Sequence, residues 1–276
     1  LQISVSASVV EAEPTPGEKG SMQVRILGCS GGIAAGLRTT AILIDDDILI
    51  DAGTGVGDLT LDELRCVKRL FLTHSHLDHT VGLPLFVDAV FETFRRRPLE
   101  IYAHPETIAA LQSHLFNDVM WPDFSRIPSV EAAAIKYRPI ESGAVVDCGG
   151  RVVRAVDVKH AVPTLGYCVE AGDKVLAFSG DTTTNRTLWP VLNAYPDVHV
   201  LVIEVSFPNR QHELAEQSGH YCPRTLASDL GKLSHSPDIW LTAMKPGEEE
   251  EIMDEVLAAL PERRIRRLEA GSVLQL

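Results

Sequence analysis

Long apolar runs are missing from this chain, and that absence is the first constraint on what it can be. No stretch approaches the roughly 18–20 consecutive apolar residues that a helix needs to cross a bilayer, so no spanning helix and no membrane partner are expected. A Pro/Gly/Ser-rich linker is lacking too, and 276 residues without one read as a single large domain. Basic residues are scarce: 25 Lys and Arg face 38 Asp and Glu, for a net charge of −13. Holding duplex or transfer RNA along a broad surface relies on many basic contacts, so a nucleic-acid polymer is not an expected partner. A small phosphate ester needs only local positive charge and stays within reach. The chain has no C-x-x-C pair. Its five cysteines (Cys29, Cys66, Cys148, Cys168 and Cys222) are odd in number and scattered, which reads as buried free thiols in a reducing compartment and predicts a cytoplasmic protein. Residues 1–21 lack the basic and apolar regions of an intact signal peptide. They are read as a flexible N-terminal tail, with Gly20-Ser21-Met22 in the form of a cloning scar ahead of a domain at 22–276. A cleaved secretory remnant, and with it a periplasmic protein, is the alternative.

What is present is an alternation of strand-like and helix-like segments. The first strand, Gln23 to Leu27, leads into a Gly-rich bend that has neither the Gly-Lys-Ser/Thr of a P-loop nor G-x-G-x-x-G spacing, and it reads as a tight turn. Strands are expected at 40–44, 48–51, 67–72, 101–103, 135–140, 151–158, 166–170, 174–178, 198–205, 238–242 and 265–268. Helices are expected at 80–97, with Val81, Leu85, Val87 or Ala89, and Phe91 on the apolar side, and at 105–116, 186–194, 223–233 and 248–260. Periodicity gives an α/β protein and no more.

The run His74-Ser75-His76-Leu77-Asp78-His79 follows directly on the strand ending at Leu72. Four potential metal ligands within six residues at a strand's end read as a metal site, and imidazole with carboxylate suits zinc, manganese or iron. Side-chain alternation puts His74 and His76 on one face, leaving Asp78 and His79 free for a second ion. Two further candidates, His160 and Asp181, also fall just past strands. His104 and His114 have no partners at useful spacing and read as structural.

This pattern resembles the metallo-β-lactamase superfamily. The extended form His74-Ser-His-Leu-Asp-His79-Thr-Val-Gly-Leu resembles its class II 3′,5′-cyclic-nucleotide phosphodiesterases, as do Leu27-Gly-Cys-Ser-Gly-Gly32, His160-Ala-Val-Pro-Thr-Leu-Gly-Tyr167, Phe178-Ser-Gly-Asp-Thr182, Ile203-Glu-Val-Ser-Phe207, Ser218-Gly-His-Tyr-Cys-Pro223 and Leu241-Thr-Ala-Met-Lys-Pro246. The resemblance implies an αββα sandwich, a homodimer and two divalent metal ions (zinc, manganese or iron). His74, His76 and His160 would hold one ion, Asp78 and His79 the other, with Asp181 bridging them. Asp51, in Asp51-Ala-Gly-Thr-Gly55, would orient the histidine loop. The implied activity is hydrolysis of cyclic AMP or cyclic GMP to the 5′-monophosphate by a hydroxide held between the metals, with Asp78 and His220 in the catalytic set. His220 would protonate the leaving oxygen or bind the phosphate.

One residue departs from the family's pattern. The histidine that completes the second site in the resembling enzymes is Ala243 here, which cannot ligate and is expected to weaken one metal and the activity. Either the natural protein lacks the ligand or it was replaced; the intact flanks favour replacement. Trp121, in the aromatic stretch 117–124, is expected to stack on a nucleobase or to anchor its loop to the core or to a dimer partner. Two other readings keep the same ligands: a tRNA 3′-processing phosphodiesterase, and a degenerate metal-binding protein without turnover.

Overall fold

Strands Ala41–Ile44 and Ile48–Ile50 are buried at every position, so both of their faces must be covered. Ile42, Ile44, Ile48 and Ile50 point to one side and Leu43 and Leu49 to the other, which is the period of two expressed in three dimensions. The computed structural model describes residues 20–276 and shows what lies on each side. Its strands are β1 (Gln23–Gly28), β2 (Ala41–Ile44), β3 (Ile48–Ile50), β4 (Arg69–Phe71), β5 (Leu99–Ala103), β6 (Ile135–Pro139), β7 (Val145–Asp147), β8 (Arg151–Val158), β9 (Thr164–Ala171), β10 (Lys174–Phe178), β11 (Val200–Glu204), β12 (Asp238–Thr242), β13 (Ile265–Arg267) and β14 (Val273–Gln275). They form two seven-stranded sheets, ordered β14-β1-β2-β3-β4-β5-β6 and β13-β12-β11-β10-β9-β8-β7.

The isoleucines of β2 and β3 meet Tyr167, Val169, Leu176 and Val202 of the second sheet in a core between the sheets. Their outward partners, Leu43 and Leu49, pack with Leu83, Phe86 and Phe94 beneath the helices of the first sheet. In β11, Val202 faces inward while Leu201 and Ile203 face outward, against Leu226, Leu230, Ile252 and Val256. Helices therefore cover both outer faces, which is the expected αββα sandwich. They are α1 (Leu61–Cys66), α2 (Leu77–Thr80), α3 (Leu83–Ala89), α4 (Phe91–Arg96), α5 (Pro105–His114), α6 (Leu188–Asn193), α7 (His212–Ser218), α8 (Pro223–Leu230) and α9 (Glu249–Ala259). Among the described residues no helix is long and apolar enough to cross a membrane.

Several expectations need correction. The single helix over 80–97 is three short ones, broken around Gly82 and Pro84 and again at Val90, and its buried side is Leu83, Phe86, Val87 and Phe94. Val81 and Leu85, assigned to the apolar face, are 40% and 61% exposed. All five cysteines are free, but Cys66 is exposed and Cys29 only partly buried. Most of the expected tail, residues 1–19, lies outside the described residues. Met22 is buried and exchanges backbone hydrogen bonds with Leu276 at 3.0 and 2.9 Å.

The topology settles where side chains can gather. Strands β3 to β6 are parallel, as are β10 to β13, and two antiparallel pairings bring β8 into the same direction as β10. The segments leaving β8, β10, β11 and β12 thus emerge at one edge of the second sheet.

Candidate metal centre

The chain leaves β4 as Leu72-Thr73-His74, all buried, and both sheets fix this exit. Tyr167 of β9 donates its hydroxyl to the Leu72 carbonyl at 2.6 Å, and the Leu165 N–H donates to the Thr73 carbonyl at 3.0 Å. Asp51, buried just past β3, accepts the Thr73 N–H and the Thr73 hydroxyl, each at 2.8 Å. The same Asp51 Oδ2 lies 2.7 Å from His79 Nδ1. Through that bond the His79 Nδ1–H donates to a carboxylate, which turns Nε2 toward Asp181, 3.3 Å away. A carboxylate behind the second nitrogen is the usual means of orienting a ligating imidazole. Gly53 makes the approach possible, because a Cβ there would lie 2.2 Å from the Asp78 carbonyl oxygen.

His160 follows β8. Its Nδ1 lies 2.9 Å from the Gly219 carbonyl and its Nε2 3.2 Å from His76 Nδ1. Gly219 caps α7 in the left-handed region at φ 75°, a conformation that favours glycine. Asp181 follows β10 and reaches His79 and, at 3.9 Å, His74 Nε2. His74 Nε2 is buried with no hydrogen-bond partner. A bare imidazole nitrogen in a dry site is costly unless something binds it, and here it faces a carboxylate among other imidazoles.

The ligand atoms of His74, His76 and His160 lie within 4.8 Å of one another; so do those of His74, His79 and Asp181, and those of His160, Asp181 and His220. The first expected set is therefore gathered. The second is gathered with a difference: His79 and Asp181 converge with His74, whereas Asp78, at the start of α2, stands at the margin with its Oδ2 3.8 Å from His79 Nε2. Imidazoles plus a carboxylate, with an orphaned buried nitrogen among them, fit a divalent metal such as zinc.

Electrostatics divide the histidines. Burial, aided by the neighbouring His79, holds the His74 pKa well below the usual imidazole value, and burial brings His160 down to about 4. Burial also opposes charge on His79 and Asp181, but each serves as the other's counter-ion. With Asp51 on its far side, His79 is raised well above its ordinary value, and Asp181 is held well below its own.

His220 lies in the turn between α7 and α8, its ring centroid 4.8 Å from that of His160. Its Nδ1 is 2.9 Å from Glu204 Oε1 and 3.2 Å from Ser206 Oγ. Glu204 ends β11 with no exposed surface, and its carboxylate also accepts the Thr182 N–H at 3.0 Å. Burial opposes a charged His220, yet Glu204 outweighs it and raises the pKa. Glu204 was given no role from the sequence. Its one signal there is a carboxylate ending an otherwise apolar strand.

Ala243 follows β12, whose Thr242 pairs with Glu204 of β11, so it emerges at the same edge as Asp181 and Glu204. It is buried, in the left-handed region at φ 62°. Trp121 is not gathered with the histidines: it packs, partly buried, against the core beneath the helices of the first sheet. Of the two readings of Trp121, that is the anchor.

Residues 46–236 match the beta-lactamase superfamily domain, well over half the chain, and the chain belongs to that family. With its two sheets and helical outer layers it is a hydrolase of the metallo-β-lactamase fold. Among relatives, a ribonuclease Z of Methanosarcina acetivorans is 25% identical over 255 residues, covering 72% of this chain and 80% of that protein. A 3′,5′-cyclic-nucleotide phosphodiesterase of Aliivibrio fischeri is 26% identical over 263 residues, covering 78% and 76%. The match to the ribonuclease Z of Pyrococcus abyssi spans only 54% of that protein. The crystal structure of unliganded yeast PDE1 superposes with a TM-score of 0.77 at 19% identity, over 93% of this chain and 99% of that one, a likeness of fold.

Proposed function

We propose that this protein is a metal-dependent phosphodiesterase that opens 3′,5′-cyclic nucleotides to 5′-monophosphates. The observation that carries the reading is the Glu204–His220 pair beside His160 and Asp181. His74, His76, His79, His160 and Asp181 would hold the metal, with Asp78 at the margin. When bound, such ions make water acidic enough to attack near neutral pH and offset charge growing on phosphorus. The chain supplies the rest. Asp51 and Thr73 hold the histidine loop in register. Glu204 fixes His220 through Nδ1 and favours its protonated form, leaving Nε2 to deliver a proton to a departing ribose oxygen.

Two features support a small cyclic substrate: the net charge of −13, which disfavours a broad polyanion interface, and the phosphodiesterase relative. The ribonuclease Z relatives, at similar identity, favour a second reading, cleavage at the 3′ side of transfer RNA. The test is release of 5′-monophosphate from cyclic AMP and cyclic GMP with zinc, manganese or iron, for this chain and for Ala243→His. No turnover of either nucleotide by either form, with cleavage of transfer RNA precursors, would hand the site to the second reading.

A further inference from the structure

A groove of about 1310 Å³ opens beside His160. That exceeds the roughly 300–1,000 Å³ typical of small-molecule sites, so a cyclic mononucleotide at the metal centre would leave much of it unfilled. Its walls come from the His160 loop, the segment after Asp181, α6 and the start of α5. Three cations line it, and two of them, Lys159 and Arg186, have no ion-pair partner among the described residues. In a chain of net charge −13, two such cations share one groove with the candidate metal ligand His160. The third cation, Lys232, is bonded to Asp229 at 2.6 Å and belongs to the scaffold.

The backbone carrying both cations is held rigidly. The Lys159 carbonyl accepts the Thr183 N–H at 2.9 Å and the Thr182 hydroxyl at 3.2 Å, tying it to the segment that bears Asp181. Just before Arg186, the Asn185 N–H donates to buried Asp229 at 3.1 Å, and Trp189 Nε1 donates to the same carboxylate at 3.2 Å. Across the groove, His104 accepts the Glu106 N–H at Nδ1. Its neutral ring therefore carries the proton on Nε2, as a further donor. Two carboxylates, Glu106 and Asp157, share the lining. With two carboxylates beside its cations, the groove offers no broad positive surface, which suits a single phosphate and not a polyanion.

We propose that this groove binds a second phosphate group of the substrate, so that the enzyme also takes short linear phosphodiesters, with Lys159 and Arg186 as specificity residues. This rests on the phosphodiesterase reading and adds a substrate class to it. Guanidinium and ammonium donors to phosphate make charge-assisted hydrogen bonds, and hydrogen bonds to charged groups are worth roughly tenfold in affinity or more.

The experiment compares the diadenylate ApA with its 5′-phosphorylated form pApA, which differ only in the second phosphate. Cyclic AMP and bis(p-nitrophenyl) phosphate are run alongside, on the metal-loaded protein and on Lys159→Ala, Arg186→Ala and the double variant. The expected result is a kcat/KM ratio of pApA to ApA of about ten or more. It should shrink with added salt and fall toward one in the double variant. A ratio near one in the unsubstituted protein, or one that the double variant leaves unchanged, overturns the proposal while the phosphodiesterase reading stands. No turnover of any of the four diesters defeats that reading and this proposal with it.

Discussion

At the scale of single residues, His74, His76, His79, His160 and Asp181 would hold a metal in the proposed reaction, and His220 would handle a proton. His220 is assigned to the second task because Glu204 occupies its Nδ1. A positioned acid contributes roughly 10²–10⁴-fold, so His220→Ala is expected to slow cyclic AMP hydrolysis within that range. An ester with a nitrophenolate leaving group needs no proton and should suffer far less; equal losses on both would reduce His220 to binding. Glu204→Gln keeps a hydrogen-bonding side chain but removes the charge that favours the imidazolium. It should lower kcat with little change in KM, and a rise in KM alone would count against a positioning role. Ala243→His tests the strand edge directly. If Ala243 stands at a ligand position, the substitution should tighten the weaker metal by roughly 10–100-fold, the scale of losses known for groups supporting a metal site. Calorimetric titration with zinc reads this without reference to turnover. The histidine cluster was legible because its members are neighbours in sequence. The Glu204–His220 pair was not, since it forms only when the end of β11 meets the turn before α8. The packing of Trp121 was open for a related reason: it is made with distant apolar residues, and nothing in its own stretch records them.

At the scale of elements, several strands could be read to the residue from side-chain alternation and apolar runs; β8, β10 and β12 begin and end where expected. Of the five three-residue strands among the described residues, β3, β4 and β13 were expected, and β7 and β14, which are largely exposed and show no apolar run, escaped. Helix α1 left a sign, the Thr60…Glu63 capping box, in which the Thr60 N–H donates to Glu63 at 2.8 Å. The region 80–97 failed because two sets of apolar residues four apart, Leu77/Val81/Leu85 and Leu83/Val87, each fit a helical stripe, and only packing chooses between them. Glu63 also ties α1 to β1 through Arg25, at 2.5 Å. Partial burial works against its charge, but Arg25 and the Thr60 N–H prevail and hold its pKa to about 2, below an ordinary 4.5. A carboxylate depressed in the folded state stabilises it above the unfolded pKa, and that stability is lost as pH falls through the folded one. Between about pH 4.5 and 2 the protein should lose stability that Glu63→Gln never had. Parallel acid denaturation curves for the two would show that the pair contributes nothing.

At the scale of the whole molecule, the candidate ligands come from both layers: His74, His76 and His79 follow a strand of the first sheet, and His160 and Asp181 follow strands of the second. A bound ion would add a further tie between the sheets, beside the packing between them and the hydrogen bonds from Tyr167 and Leu165 to the Leu72-Thr73 exit. Binding to the folded state alone stabilises by about 4 kcal/mol at a thousandfold excess over Kd. Stripping the protein with a chelator should therefore lower its Tm, and zinc should restore it; an unchanged Tm would show that the centre does not hold the layers together. The sandwich also has a history written into its strand order. β1 is flanked by β2, made soon after it, and by β14, made only after every strand of the other sheet. While the ribosome works through the second half, one side of β1 has no partner, and open strand edges invite pairing with other chains. Synthesis order thus sets a waiting period, which ends when Val273–Gln275 arrive to cover that edge.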